Sequence, residues 1–338
     1  MGKFYSVLII ILLILLIPQV YYHIRARRHK SLDMTSKYFE RYRVKDLENY
    51  KEIYLTNTDG FDQFVRILDH ENPKALVQLV HGMSEHSGNY LDFAKFLNDN
   101  GYLVIIGDHR GHGKSISEKY PNGYMREAEE LVDDQIMISK YIKSIYPDKK
   151  LYLLGHSMGS MIARLYLRKS DILIDKLVLT GTVPRASISG LGLFFARVAC
   201  FYFGEMMESD IIDTIVGAGK GLDFISYNQE NIRIKNNDPM RIFKFKISYT
   251  RVLIELNRLL ARKNTYKVQN KDLKIYNMVG IDDPITKGEK GIRDSIGFLN
   301  DLGYKNIQNK VYDNMKHEIL NETGKEKVYE DMLEVFDN

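Results

Sequence analysis

Five short apolar runs, each closing on a glycine within two residues, set the strongest limit on how this 338-residue chain can fold. They are KALVQLV (74–80, followed by His81-Gly82), YLVIIGD (102–108), LYLLG (151–155), KLVLTG (176–181) and KIYNMVG (274–280). None alternates apolar with polar residues, so both faces of each strand are meant to be covered. Helical patterns lie between them. GNYLDFAKFLNDNG (88–101) repeats apolar residues at Tyr90/Leu91, Phe93/Ala94 and Leu97 and stops at Gly101. The segment 127–147 carries Leu131, Ile138, Ile142 and Ile145 and ends before Pro147. Strand and helix alternating in this way predict a parallel α/β sheet flanked by helices. In such a sheet the chemistry belongs at the carboxyl ends of the strands.

Three strand ends carry reactive groups. Gly155-His156-Ser157-Met158-Gly159 is G-x-S-x-G between the strand LYLLG and the helical stretch MIARLYLRK. A serine on that sharp turn has strained backbone angles and an exposed Oγ, and the flanking glycines remove side chains that would clash. At the second such end, after the 74–80 strand, His81-Gly82-Met83 lets the backbone turn close to the sheet edge. The N–H groups of Met83 and Met158 would then form an oxyanion hole. The third end, VGIDDPIT (279–286), offers Asp282 and Asp283, and MKHEILNE (315–322) offers His317, the only histidine after residue 156. A serine nucleophile needs a base, and the base needs an orienting carboxylate. The chain order Ser, Asp, His is the one this kind of sheet calls for.

The N-terminus reads differently. Residues 4–24 (FYSVLIIILLILLIPQVYYHI) contain no Asp, Glu, Lys or Arg and are followed by RARRHK. Twenty-one residues are enough to cross a hydrocarbon core of about 30 Å as a helix. Phe4, Tyr5, Tyr21 and Tyr22 sit near both ends, where interfacial rings belong. A cleaved signal peptide is the alternative, but Lys3 is the only early basic residue and no small-x-small site follows. The expectation is an uncleaved single-pass anchor over residues 1–30, a linker over 31–50 and a body over 51–338. The basic flank predicts a cytoplasmic body. Residues 1–37 hold six basic residues against one acidic, and the rest of the chain holds 42 against 43. A near-neutral body without a basic stripe argues against nucleic-acid binding. Cys200, the single cysteine, excludes an internal disulfide framework.

The segments HGMSEHSGNY, DHRGHGKS, GHSMG, GIDDPITKGEKG and HEILNE…VYEDML resemble the bacterial lysophospholipase/monoacylglycerol lipase family, a branch of the α/β-hydrolase fold. The likeness spans roughly residues 52–338. It implies a mostly parallel sheet with a helical cap insertion at about 182–265. It implies Ser157 as nucleophile, His317 as base, Asp283 as the orienting acid with Asp282 as fallback, and Met83 and Met158 as oxyanion donors. No cofactor and no metal are implied, although His81, His86, His109 and His112 cluster in sequence. The cap departs from the family pattern, because the chain has no tryptophan.

Within the cap, LGLFFARVACFYFGEMM (191–207) has two readings: residues packed on the sheet, or an apolar lid face resting on a bilayer. GAGKG (217–221) lacks the full spacing of a phosphate loop and reads as a cap loop. The expected activity is hydrolysis of a lipid ester, monoacylglycerol or lysophospholipid, with the membrane as the only other partner. The alternatives are a hydrolase of small esters or peptides, and a catalytically silent binding protein.

Overall fold

The computed structural model describes residues 2–28, 42–47, 50–57, 59–208 and 221–338. Residues 31–41, 48 and 49 of the stretch read as a linker, and 217–220 of the GAGKG loop, lie outside the described residues. The five expected strands form as β4 (Leu76–Val80), β5 (Leu103–Gly107), β6 (Leu151–His156), β7 (Lys176–Thr180) and β8 (Lys274–Gly280). β9 (Asn306–Tyr312) adds a parallel edge. Three antiparallel strands, β1 (Tyr42–Asp46), β2 (Lys51–Thr56) and β3 (Asp62–Leu68), extend the other edge. The sheet order is β1-β2-β3-β5-β4-β6-β7-β8-β9.

Every residue of β4, β6 and β7 is buried, which is why their sequences show no polar alternation. The period of two survives in the packing. Leu76, Val80, Leu103 and Ile105 face one core layer, and Val77, Leu79, Val104 and Ile106 face the other. The first layer is covered by α3 (Ala128–Ile145) and α4 (Met158–Ser170), the second by α2 (Leu91–Asp99) and the terminal helix Lys325–Asp337. The chain leaves β4 toward β5 and then returns to β6 on β4's other side. That reversal opens a crevice at the carboxyl ends of β4 and β6.

The cap lies between β7 and β8. It contains α5 (Ser189–Phe203), α6 (Gln229–Asn236) and α7 (Ile247–Leu260). α7 packs on α4 and carries α5. The N-terminal helix α1 (Gly2–Arg28) is the one helix, among the described residues, long and apolar enough to cross a membrane. Its first half is exposed, and its second half lies on α5. Gln19 Nε2 donates to the Phe194 carbonyl at 3.0 Å, and the Tyr202 hydroxyl donates to the Ile14 carbonyl at 3.1 Å. At the basic end, the Tyr22 hydroxyl donates to Glu205 at 2.8 Å, and Arg25 bonds both Glu205 and Glu127. α5 keeps Leu191, Phe195, Tyr202 and Phe203 exposed. Its apolar character therefore serves α1, α7 and the surface, and not the sheet.

Candidate active site

Ser157 sits between β6 and α4 with φ 52° and ψ −118°, a left-handed-side conformation that costs a non-glycine residue roughly 1–3 kcal/mol. The turn closes because neighbouring glycines leave room. A Cβ on Gly159 would lie 2.0 Å from the Val80 carbonyl oxygen, and one on Gly155 would lie 2.5 Å from the Gly159 carbonyl oxygen. Gly159→Ala is therefore expected to destabilise the chain by about 3 kcal/mol, since backbone must move. An unchanged midpoint in denaturant unfolding would contradict that close approach.

The structure brings the sequence-selected side chains together. His317 Nε2 lies 2.8 Å from Ser157 Oγ, and its Nδ1 lies 2.9 Å from Asp283 Oδ2. Asp283 also accepts from Thr286 Oγ1 at 2.6 Å and from the Ile285 N–H at 2.8 Å. Burial works against its charge, yet His317 and these donors hold the carboxyl below its ordinary value. Asp282, the neighbour, points out to the Tyr227 hydroxyl at 3.2 Å and takes no part. Burial alone would push the His317 imidazole down. The Asp283 carboxylate, with Glu318 and Glu85 behind it, raises it above the ordinary histidine value instead. His156, whose ring centroid is 4.8 Å from that of His317, is driven by burial down to about 4 and stays neutral.

Met83 and Met158 line the same cavity as Ser157 and His317. A Cβ on Gly82 would stand 3.0 Å from Ser157 Cβ, so the turn ahead of Met83 lies directly against the serine. Glu85 Oε2 holds that turn by accepting the Gly82 N–H at 2.7 Å. The cavity is about 700 Å³, with Ile188, Phe224, Phe243, Leu253 and Ile254 on its apolar side and Lys235, Glu85, Glu318 and Asp238 at its polar end.

The polar end was not legible in the sequence. Lys235 of α6, fully buried, donates to Glu85 Oε1 at 2.5 Å and to Glu318 Oε1 at 2.6 Å. The Tyr90 hydroxyl completes Glu85 at 2.7 Å, and Asn231 Nδ2 completes Glu318 at 3.0 Å. Burial opposes the charges on Glu85 and Lys235, but the ammonium pulls Glu85 well below the carboxylate range and the two carboxylates lift Lys235. Glu85, His156 and Glu318 form the one group, among the described residues, close enough to hold a metal ion. Lys235 already satisfies both of its carboxylates. The other histidines are committed elsewhere: His81 Nε2 accepts the His109 N–H at 2.9 Å, His112 Nε2 meets the Tyr249 hydroxyl at 2.8 Å, and His86 meets Asp238 at 2.7 Å.

Chemically, an imidazole fixed by a buried carboxylate and touching a strained, cavity-facing hydroxyl can draw off that hydroxyl's proton. The family model described as serine aminopeptidase, S33 matches residues 71–324. Among curated proteins, the chain is 30% identical over 191 residues to the monoglyceride lipase of Mus musculus, covering 55% of this chain and 59% of that protein. It is 24% identical over 270 residues to the monoacylglycerol lipase of Mycolicibacterium smegmatis, covering 77% of this chain and 87% of that one. Among solved structures, a thermostable carboxyl esterase from Bacillus coagulans, in complex with glycerol, superposes with TM-score 0.75 at 25% identity over 86% of this chain and 99% of that one. The chain thus matches a little over half the length of the mouse protein.

Proposed function

The chain belongs to the serine aminopeptidase S33 family of hydrolases and has the α/β-hydrolase fold, and from that premise we propose that it hydrolyses carboxylic esters of lipids, monoacylglycerol or lysophospholipid, through an acyl-enzyme on Ser157. The observation that carries the reading is the relay Ser157 Oγ–His317 Nε2, His317 Nδ1–Asp283 Oδ2, at 2.8 and 2.9 Å. Ser157 Oγ attacks the ester carbonyl while His317 takes its proton, and the oxyanion is met by the N–H groups of Met83 and Met158. The tetrahedral intermediate expels the alcohol, which leaves with the proton from His317. Water then repeats the two steps and releases the fatty acid.

Two features favour a lipid over a peptide. The cavity wall is largely apolar, and α1 offers a membrane anchor beside the cap. In this reading residues 1–30 are a single-pass anchor, and the body is cytoplasmic with its cap over about 182–265; its sheet takes in β1 at Tyr42–Asp46, inside the stretch read as a linker. The arginines after the span favour that orientation. The test is a hydrolysis panel on the purified full-length chain: long-chain monoacylglycerols, lysophospholipids, short p-nitrophenyl esters and aminoacyl peptides. Lipid esters are expected to give the highest kcat/KM, and a preference for peptides would reject the assignment.

The pH dependence has a definite sign. His317 acts as a base only when neutral, and its surroundings raise it above 6.5. The acid limb of kcat/KM should therefore fall off at a pH above 6.5, with activity lost as pH drops through it. A limb well below that value would mean that Asp283 does not act on the imidazole.

A further inference from the structure

A second cavity, of about 340 Å³, opens where α1 meets the cap. Its α7 residues, Glu255, Arg258 and Leu259, lie on the face turned away from Leu253, Ile254 and Asn257 of the catalytic cavity. Four arginines line it: Arg27 from α1, Arg197 from α5, Arg258 from α7, and Arg262 just beyond. Glu127, Glu129 and Glu255 also line it, but each is already held by another cation. Glu127 is bonded by Arg25, Glu129 by Arg168 and by Lys169 at 2.8 Å, and Glu255 by Arg251 at 3.1 Å. Arg197 reaches Glu255 only at 3.7 Å, and its buried Nε has no hydrogen-bond partner. Arg27, Arg258 and Arg262 make no ion pair among the described residues.

Like charges gathered in a cavity repel one another unless an anion joins them, and a guanidinium fork matches the paired oxygens of a phosphate. The position narrows the source. The cavity lies at the basic end of the helix that can cross a membrane, where a chain leaves the hydrocarbon and meets headgroups. We propose that this cavity binds the phosphate of an anionic membrane phospholipid and so pins the anchor helix α1 to the cap. The proposal rests on reading α1 as a membrane anchor.

That reading is checked separately, by whether the full-length chain stays with membranes after an alkaline carbonate wash; release would reject the anchor but leave the binding measurement readable. Binding is read on the full-length chain in neutral detergent, as the rise in thermal midpoint with added short-chain phosphatidylglycerol, phosphatidylcholine or inorganic phosphate. Phosphatidylglycerol is expected to raise the midpoint, and phosphatidylcholine at equal concentration is not. Arg258→Gln and the exposed Arg262→Gln should each weaken the response about tenfold, one charge-assisted contact apiece. Arg293→Gln, an exposed arginine paired with Glu289 that does not line the cavity, should leave it unchanged. Because Arg262 is exposed, its variant should fold even if Arg258→Gln does not. Equal responses to the two lipids, or undiminished binding by Arg262→Gln, would overturn the proposal. An equal response to inorganic phosphate would reassign the site to free phosphate and overturn its membrane role.

Discussion

Replacing Ser157 by alanine should abolish nearly all ester turnover, by about 10⁴-fold or more, while the fold survives. The expectation follows from what the hydroxyl touches. Oγ lies 2.8 Å from the raised imidazole of His317, and among the described residues no other hydroxyl is hydrogen-bonded to that ring. Alanine keeps the backbone shape that α4 and Gly159 impose and removes only one atom from a cavity wall. The variant's thermal midpoint should stay within a few degrees of wild type. Residual rate would come from the proposed Met83 and Met158 N–H donors and from binding alone. A Ser157→Ala protein with more than a hundredth of wild-type kcat/KM would mean that the chemistry runs elsewhere.

The second large effect is expected at Lys235. Lys235→Met removes one charge and leaves Glu85 and Glu318 facing each other, buried and unpaired, at a cost of about 3–5 kcal/mol. The damage would reach both halves of the site. Glu85 holds the Gly82 N–H of the turn before Met83, and Glu318 directly follows His317. The pH signature separates this from a general packing loss. In the wild type Glu85 is held below its ordinary 4.5, so its contribution is present above that pH and is lost as pH falls further. In Lys235→Met the two carboxylates repel, their folded-state affinities for protons rise above the unfolded ones, and acidification relieves the strain. The variant's deficit in urea unfolding should therefore shrink between pH 7.5 and pH 5. Adding Glu318→Gln should recover part of it at neutral pH. A deficit independent of pH would show that the ammonium is packing and not counter-charge.

The parallel half of the fold was legible because its strands are covered on both faces, so the apolar runs stand out unbroken. β1 to β3 were not read from the sequence, since KEIYLT and DQFVRIL mix charge into strands whose neighbours are fixed only by antiparallel pairing. G-x-S-x-G, two adjacent aspartates and one late histidine pointed to Ser157, Asp283 and His317, and the geometry joins those three. The choice between Asp282 and Asp283 needed coordinates, because a turn sends adjacent side chains in opposite directions. Lys235 left no local signal. It sits in the charged helix QENIRIKN, and its partners are 150 and 83 residues away in the chain. The docking of α1 on α5 was equally hidden, apart from Gln19 and the paired tyrosines at the end of an otherwise apolar run.

The most direct measurement is covalent labelling of the full-length chain by a fluorophosphonate, followed by peptide mapping of the adduct. One adduct is expected, on Ser157, whose formation slows on the acid side of the His317 titration and disappears in Ser157→Ala. An unlabelled wild-type chain, or an adduct on any other residue, would contradict it.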